Sequence, residues 1–154
     1  MNKIVYISIF LLILIVFYII IIIKNLKNSL TVSYSVSKID LRNIISKNSI
    51  DLDIDVKFDN KSDSAISLKN IKADIYYNNV KITAIKKNYL RIYKGITFNK
   101  LQTTVFLNKQ SGSFGAAVLA KEKVNLKIKL KTKLFFIPVS FSKDIVYNFK
   151  DNEW

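Results

Sequence analysis

Between Ile4 and Ile23 the chain carries twenty residues, of which seventeen are Ile, Leu, Val or Phe; the exceptions are Tyr6, Ser8 and Tyr18. Wound as a helix at ~1.5 Å per residue, such a run is ~30 Å long, the thickness of the hydrocarbon core of a bilayer. Each central apolar residue favours insertion by about 0.3–0.6 kcal/mol. A small domain could not cover a helix that is apolar on all sides, so a buried core helix is a poor reading. A cleaved signal peptide is the stronger rival, but its apolar region is usually about 7–15 residues long and ends at small residues. Here Lys24-Asn25-Leu26-Lys27-Asn28 comes next, with no such cleavage pattern. The expected layout is a short tail over residues 1–3, a transmembrane helix over 4–23, a tether over 24–30 and one domain over 31–154.

Flanking charge is nearly balanced. Lys3 and the terminal amine precede the run; Lys24 and Lys27, then Lys38 and Arg42, lie after it. The positive-inside rule tilts the C-terminal domain slightly toward the cytoplasm. Against that, a short basic lead before a long apolar run has the form of a signal anchor that exports its C-terminal part. A single-pass protein with an extracytoplasmic domain is the expectation.

From Thr31 onward the dominant period is two, the mark of strands with one buried and one wet face. Val32, Tyr34 and Val36 alternate with polar neighbours, as do Ile50, Leu52, Ile54, Val56 and Phe58. Ile71, Ala73, Ile75 and Tyr77 repeat the pattern, then Asn78-Asn79, then Val80, Ile82 and Ala84. Asparagine tolerates positive φ, so the Asn pair predicts a tight hairpin. Leu101 to Leu107 and Val124 to Leu130 form further strands. Pro138 breaks the chain ahead of a last strand, which is expected to be irregular near Lys143-Asp144. Residues 39–46 and 113–121 read as short helices. About seven strands with turns between them predict an antiparallel β-sandwich of immunoglobulin or fibronectin type behind one helix.

The chain has neither cysteine nor histidine. That removes disulfides, thiol nucleophiles, most zinc sites, the common general base and the usual triads. No spacing suggests a Ser–Lys dyad or a catalytic carboxylate pair, so the expectation is no enzyme, no cofactor and no resident metal. Residues 31–154 hold 22 basic groups against 11 acidic ones. Such a balance attracts anionic surfaces, although a general bias toward Lys, Asn and Ile raises charge without selection for a ligand.

Two charged rows stand out. Asp51, Asp53 and Asp55 share one strand face. Side chains in a line do not wrap a cation, and the plain reading is a solvated face that discourages edge pairing. Lys127, Lys129, Lys131 and Lys133, extended by Lys123 and Lys121, lie along ~20 Å of another strand. This second row could meet anionic lipid, nucleic acid less readily for want of a stacking platform, or only water. Lys123, Lys127, Lys129, Lys131 and Lys133 are the candidate anionic-surface residues; Phe135 and Phe136 beside them are read as core. Strands in opposite sheets would make the domain electrically two-faced, whereas neighbouring strands would neutralise the rows as cross-strand pairs.

The stretch Val56 to Ile82, VKFDNKSDSAISLKNIKADIYYNNVKI, resembles the core of the group 2 late-embryogenesis-abundant proteins, the WHy (water stress and hypersensitive response) domain. The turn is Asp59-Asn60-Lys61 and the hairpin Tyr77-Asn78-Asn79-Val80. Phe98-Asn99-Lys100-Leu101 through Leu107, the subsequent helical segment, the basic strand and the Ile137-Pro138 step extend the resemblance over most of residues 31–149. The family's first-turn prolines and hairpin glycine are absent here. The resemblance implies a non-enzymatic sandwich that is associated with stress and often membrane-tethered. The expected function is a membrane-anchored module that protects or stabilises the envelope by binding. The alternative is an assembly subunit that docks a partner protein at the membrane. The bilayer, through residues 4–23, is the expected partner, with anionic lipid or an envelope protein beyond it.

Overall fold

The computed structural model describes residues 3–134 and 136–149. Residues 1–2 of the expected tail, residues 150–154 of the expected domain and the Phe135 expected in the core lie outside them. Helix α1 (Lys3–Ser29) leads directly into β1 (Leu30–Asp40). It is long and apolar enough to cross a membrane by length and composition. The segment expected as a tether is helical to Ser29, and it is built into the domain. Ile23 is only 5% exposed and belongs to the core, Leu26 packs against that core, and the Ser29 carbonyl accepts a hydrogen bond from the Lys61 amide at 2.9 Å. An uninterrupted helix with Ile23 in the core and Leu26 against it leaves no slack between α1 and β1.

The sandwich continues as α2 (Ile44–Lys47), β2 (Ser49–Asn60), β3 (Ile66–Tyr77), β4 (Val80–Ile92), β5 (Gly95–Phe106), α3 (Gly112–Leu119), β6 (Val124–Leu134) and β7 (Ile137–Tyr147). One antiparallel sheet has the order β1-β2-β5 and the other β4-β3-β6-β7. Alternation does the sorting: Ile50, Leu52, Ile54, Val56 and Phe58 of β2 face inward, as do Leu126, Ile128 and Leu130 of β6. β4 pairs with β3 rather than joining the sheet of β1, β2 and β5, which departs from the constant-type immunoglobulin order.

Several local expectations are corrected. Residues 39–40 belong to β1, and the helix expected over 39–46 is the single turn α2, which leaves Ile45 almost wholly exposed. Pro138 does not break the chain. It lies inside β7, an edge strand, where its missing N–H leaves no ladder bond unmade. The β6–β7 register runs without a shift through Lys143 and Asp144, so no irregularity occurs there. Asp51, Asp53 and Asp55 lie on β2, the middle strand of its sheet, so the row guards no edge.

The chain ends of the sandwich are distinct. The end adjoining α1 carries the β2–β3 loop, the Tyr93-Lys94 link and the β6–β7 turn at Phe136. Buried Asn60 organises that loop: its Nδ2 donates to the Ser64 carbonyl at 2.9 Å and its Oδ1 accepts from Ser62 Oγ at 2.6 Å. The far end is closed by α3, whose buried Phe114 meets the Tyr77 ring edge-on at 5.6 Å. Next to it, Asn78 and Asn79 turn the β3–β4 hairpin at φ of 49° and 63°. Both residues occupy the left-handed region that a type I′ turn needs. Replacing Asn79 by Val puts a β-branched side chain there, and it is expected to destabilise the protein by about 1–2 kcal/mol. The measurement is the urea midpoint of the full chain in detergent; an unchanged midpoint contradicts the turn assignment.

Candidate functional site

β6 alternates strictly, so Lys127, Lys129, Lys131 and Lys133 all point away from the core while Leu126, Ile128, Leu130, Thr132 and Leu134 point into it. Directly paired residues of antiparallel strands share a face. Lys69 and Lys133 therefore lie side by side, as do Lys72 and Lys131, Asp74 and Lys129, and Tyr76 and Lys127. On the other side of β3, Lys81 pairs with Tyr76, Lys86 with Lys72, Tyr89 with Lys69 and Arg91 with Ser67. The result is a basic sheet face built from three strands, of which the row on β6 is one part. Lys123 falls outside it, in the turn between α3 and β6, and so does Lys121. Asn70, at φ 51°, forms the bulge that shifts the register between Lys69 and Lys72 and keeps both lysines outward.

Asp74 sits at the centre of this face and is 2% exposed. Three ammonium groups converge on it: Lys81 Nζ at 2.6 Å and Lys72 Nζ at 3.6 Å from Oδ1, and Lys131 Nζ at 3.3 Å from Oδ2. Burial pushes its carboxyl up, but the hydrogen bonds from Lys81 and Lys131 and the charges around it prevail and hold it below the ordinary value. The three lysines are 41–48% exposed, so they stay hydrated while neutralising the buried acid. Lys131 is thus committed to structure. Lys127, Lys129 and Lys133 make no ion pair among the described residues. Neither Asp74 nor the lysines of β3 and β4 were singled out in the sequence. The available signal was an acid at an outward position amid basic ones, but the register that joins them is not written in any one strand.

The Asp row occupies the outer face of the other sheet, so the two rows do not neutralise each other and the faces differ in sign. Its carboxylates have local partners. Asp51 accepts from Thr104 Oγ1 at 2.6 Å and from Asn43 Nδ2 at 2.8 Å, which hold its carboxyl below the usual range. Asp53 accepts from Gln102 Nε2 at 3.2 Å and lies 3.8 Å from Lys100 Nζ.

Exposed Tyr89, Tyr93 and Phe136 lie at the α1 end, whereas exposed Phe106 lies at the far end of β5. Phe136, expected in the core, is 93% exposed in the β6–β7 turn, and Tyr93 is 62% exposed in the link between the sheets. Tyr89 is partly exposed above Ser67, with the two hydroxyls 3.1 Å apart. Phe136 and Tyr89 line an open groove of about 500 Å³ with Leu26, Ile66, Lys69 and Leu134.

No protein-family profile matches the chain, and no curated protein sequence matches it. Solved structures do resemble it. The structural genomics target SoR45 is 11% identical with a TM-score of 0.50, over 79% of this chain and 87% of that one. A protein from Archaeoglobus fulgidus is 12% identical at a TM-score of 0.48, over 77% and 94%. A late embryogenesis abundant (LEA) protein, At2g46140.1, is 15% identical at 0.42, over 77% and 72%. At such identities the likeness bears on the fold alone.

Asp74→Asn removes the charge that the three lysines share. Stability is expected to fall by about 1.5–3 kcal/mol, toward the lower figure because the lysines are partly hydrated. The depressed carboxyl contributes stability that is fully present above the unfolded value of about 3.9 and is lost as pH falls through its lower folded value. Denaturant midpoints measured from pH 7 down to 2 should fall more steeply for the wild type than for Asp74→Asn.

Proposed function

We propose that this protein is a membrane-anchored, non-enzymatic β-sandwich module that acts by binding at the envelope surface, in the protective role that its sequence resemblance implies. One observation carries the reading: α1 is exposed along almost its whole apolar length, yet its last turns are part of the domain core. Removing α1 as a signal peptide would take Ile23 out of that core and Leu26 from against it. A bilayer also accounts for the exposed apolar length, since a helix satisfies its own backbone groups in hydrocarbon. The aromatic side chains at the α1 end then lie where aromatic residues favour the membrane–water interface. Within the basic face, the same placement favours Lys133, next to that end, over Lys127, which lies ~20 Å further along the strand. In this reading the domain lies on the exported side.

One feature favours a second reading, an assembly subunit that docks a partner protein. β5 is an edge strand whose outer face exposes Ile96 and Phe98 side by side with charged neighbours on β2. A stoichiometric partner that purifies with the full chain from native membranes and is lost in Phe98→Asp would favour this version.

Fractionation of cells expressing the full chain tests the first reading. The expected result is a membrane pellet that resists alkaline carbonate and contains protein of unprocessed mass. Release by carbonate, or a mass lacking the first thirty or so residues, overturns the anchor. An alkaline phosphatase fusion after Trp154 is expected to be active; an inactive one places the domain in the cytoplasm.

A further inference from the structure

The groove at the root of α1 combines three features found together nowhere else among the described residues. Leu26 and Phe136 give it an apolar wall, with the buried Ile66 and Leu134 behind them, and Leu26 continues that wall onto the surface of α1. Lys69 lines it, and the adjacent strand sets Lys133 directly beside Lys69. Like charges placed directly across an antiparallel pair repel, and neither lysine has an acidic partner among the described residues. An anion between them would relieve this repulsion. The volume of about 500 Å³ is in the range of small-molecule sites, and it is open rather than enclosed.

We propose that the groove seats one anionic phospholipid from the leaflet that adjoins the domain. Its phosphate sits between Lys69 and Lys133, and its glycerol and upper acyl carbons lie against Leu26 and Phe136. The proposal rests on the membrane-anchored reading above. Continuity with α1 selects the occupant, because a lipid reaches this groove without leaving the bilayer, whereas a soluble anion would leave the apolar wall and Phe136 uncovered. Lys131 is held by Asp74, so Lys133 is the β6 lysine that stands on the α1 side of that hub.

Native mass spectrometry tests this on the full chain, released from micelles that contain equal amounts of phosphatidylglycerol and phosphatidylcholine. One retained phosphatidylglycerol is expected, favoured about thirtyfold if each of the two lysines near the surface supplies about 1 kcal/mol. Lys69→Ala and Lys133→Ala should each bring retention toward parity, and Phe136→Asp should remove the adduct. Lys109→Ala, at the far end, should leave the preference intact. All four positions are at the surface, and an unchanged urea midpoint confirms folding. Equal retention of both lipids by a carbonate-resistant wild type overturns the seat and leaves the anchor standing. A loss from Lys127→Ala as large as that from Lys69→Ala overturns it in favour of diffuse attraction to the whole face. Release of the wild type by carbonate overturns the anchor and the seat together.

Discussion

Two sheets that must bury one face each against the other account for most of what this domain presents to its surroundings. Ile50, Leu52, Ile54 and Val56 are at most 1% exposed, and they meet equally buried Ile128 and Leu130 from the opposite sheet. Full burial of such a side chain contributes about 1.5–3 kcal/mol. Because a strand alternates, every inward apolar residue holds its neighbours outward. Asp51, Asp53 and Asp55 on one face, and the lysines of β6 on the other, are therefore displayed by the same packing that makes the core. A one-residue slip of either strand would bury charges and expose the core, so the register is strongly held.

The join between α1 and β1 decides which end of this sandwich is special. Ile23 enters the core, Leu26 packs against it, and the Ser29 carbonyl receives the Lys61 amide, so helix and domain share packing as well as chain. The loops beside that join carry the exposed Tyr93 and Phe136, while the opposite end is closed by α3 and the Asn78-Asn79 hairpin. Asymmetry of this kind gives the groove between Leu26 and Phe136 a defined position relative to the helix. The basic face is ordered as well. Asp74 gathers Lys72, Lys81 and Lys131 at its centre, and the unpaired cations lie around this hub, Lys69 and Lys133 toward α1 and Lys127 away from it.

Much of the fold was legible in the linear pattern. β2, the β3–β4 hairpin, α3 and β6 stand where periodicity and the Asn pair put them, because each depends on residues close together in the chain. The errors have the same origin. Pro138 looked like a break because its neighbours in sequence do not say that β7 is an edge strand. Residues 24–30 looked like a tether because their polar residues conceal that Leu26 faces a core formed by distant strands. Phe136 looked like core because hydrophobicity alone does not say which side chain a tight turn leaves outside. The row on β6 was visible, whereas its role was not: Lys131 differs from its neighbours only through Asp74, more than fifty residues earlier.

By itself, then, the sequence determined the elements: a helix apolar on all sides, seven alternating strands, one asparagine hairpin, and the sign of each outward face. Those come from local rules, since side-chain direction in a helix or strand is set by backbone geometry within a few residues. Only the tertiary structure decided which strands lie side by side, that the end of α1 belongs to the core, that Asp74 ties three lysines, and that Lys69 meets Lys133 beside an apolar groove. Each of these is a contact between segments far apart in the chain, and pairing between strands depends on how two sheets fill their common interior, which no single segment records.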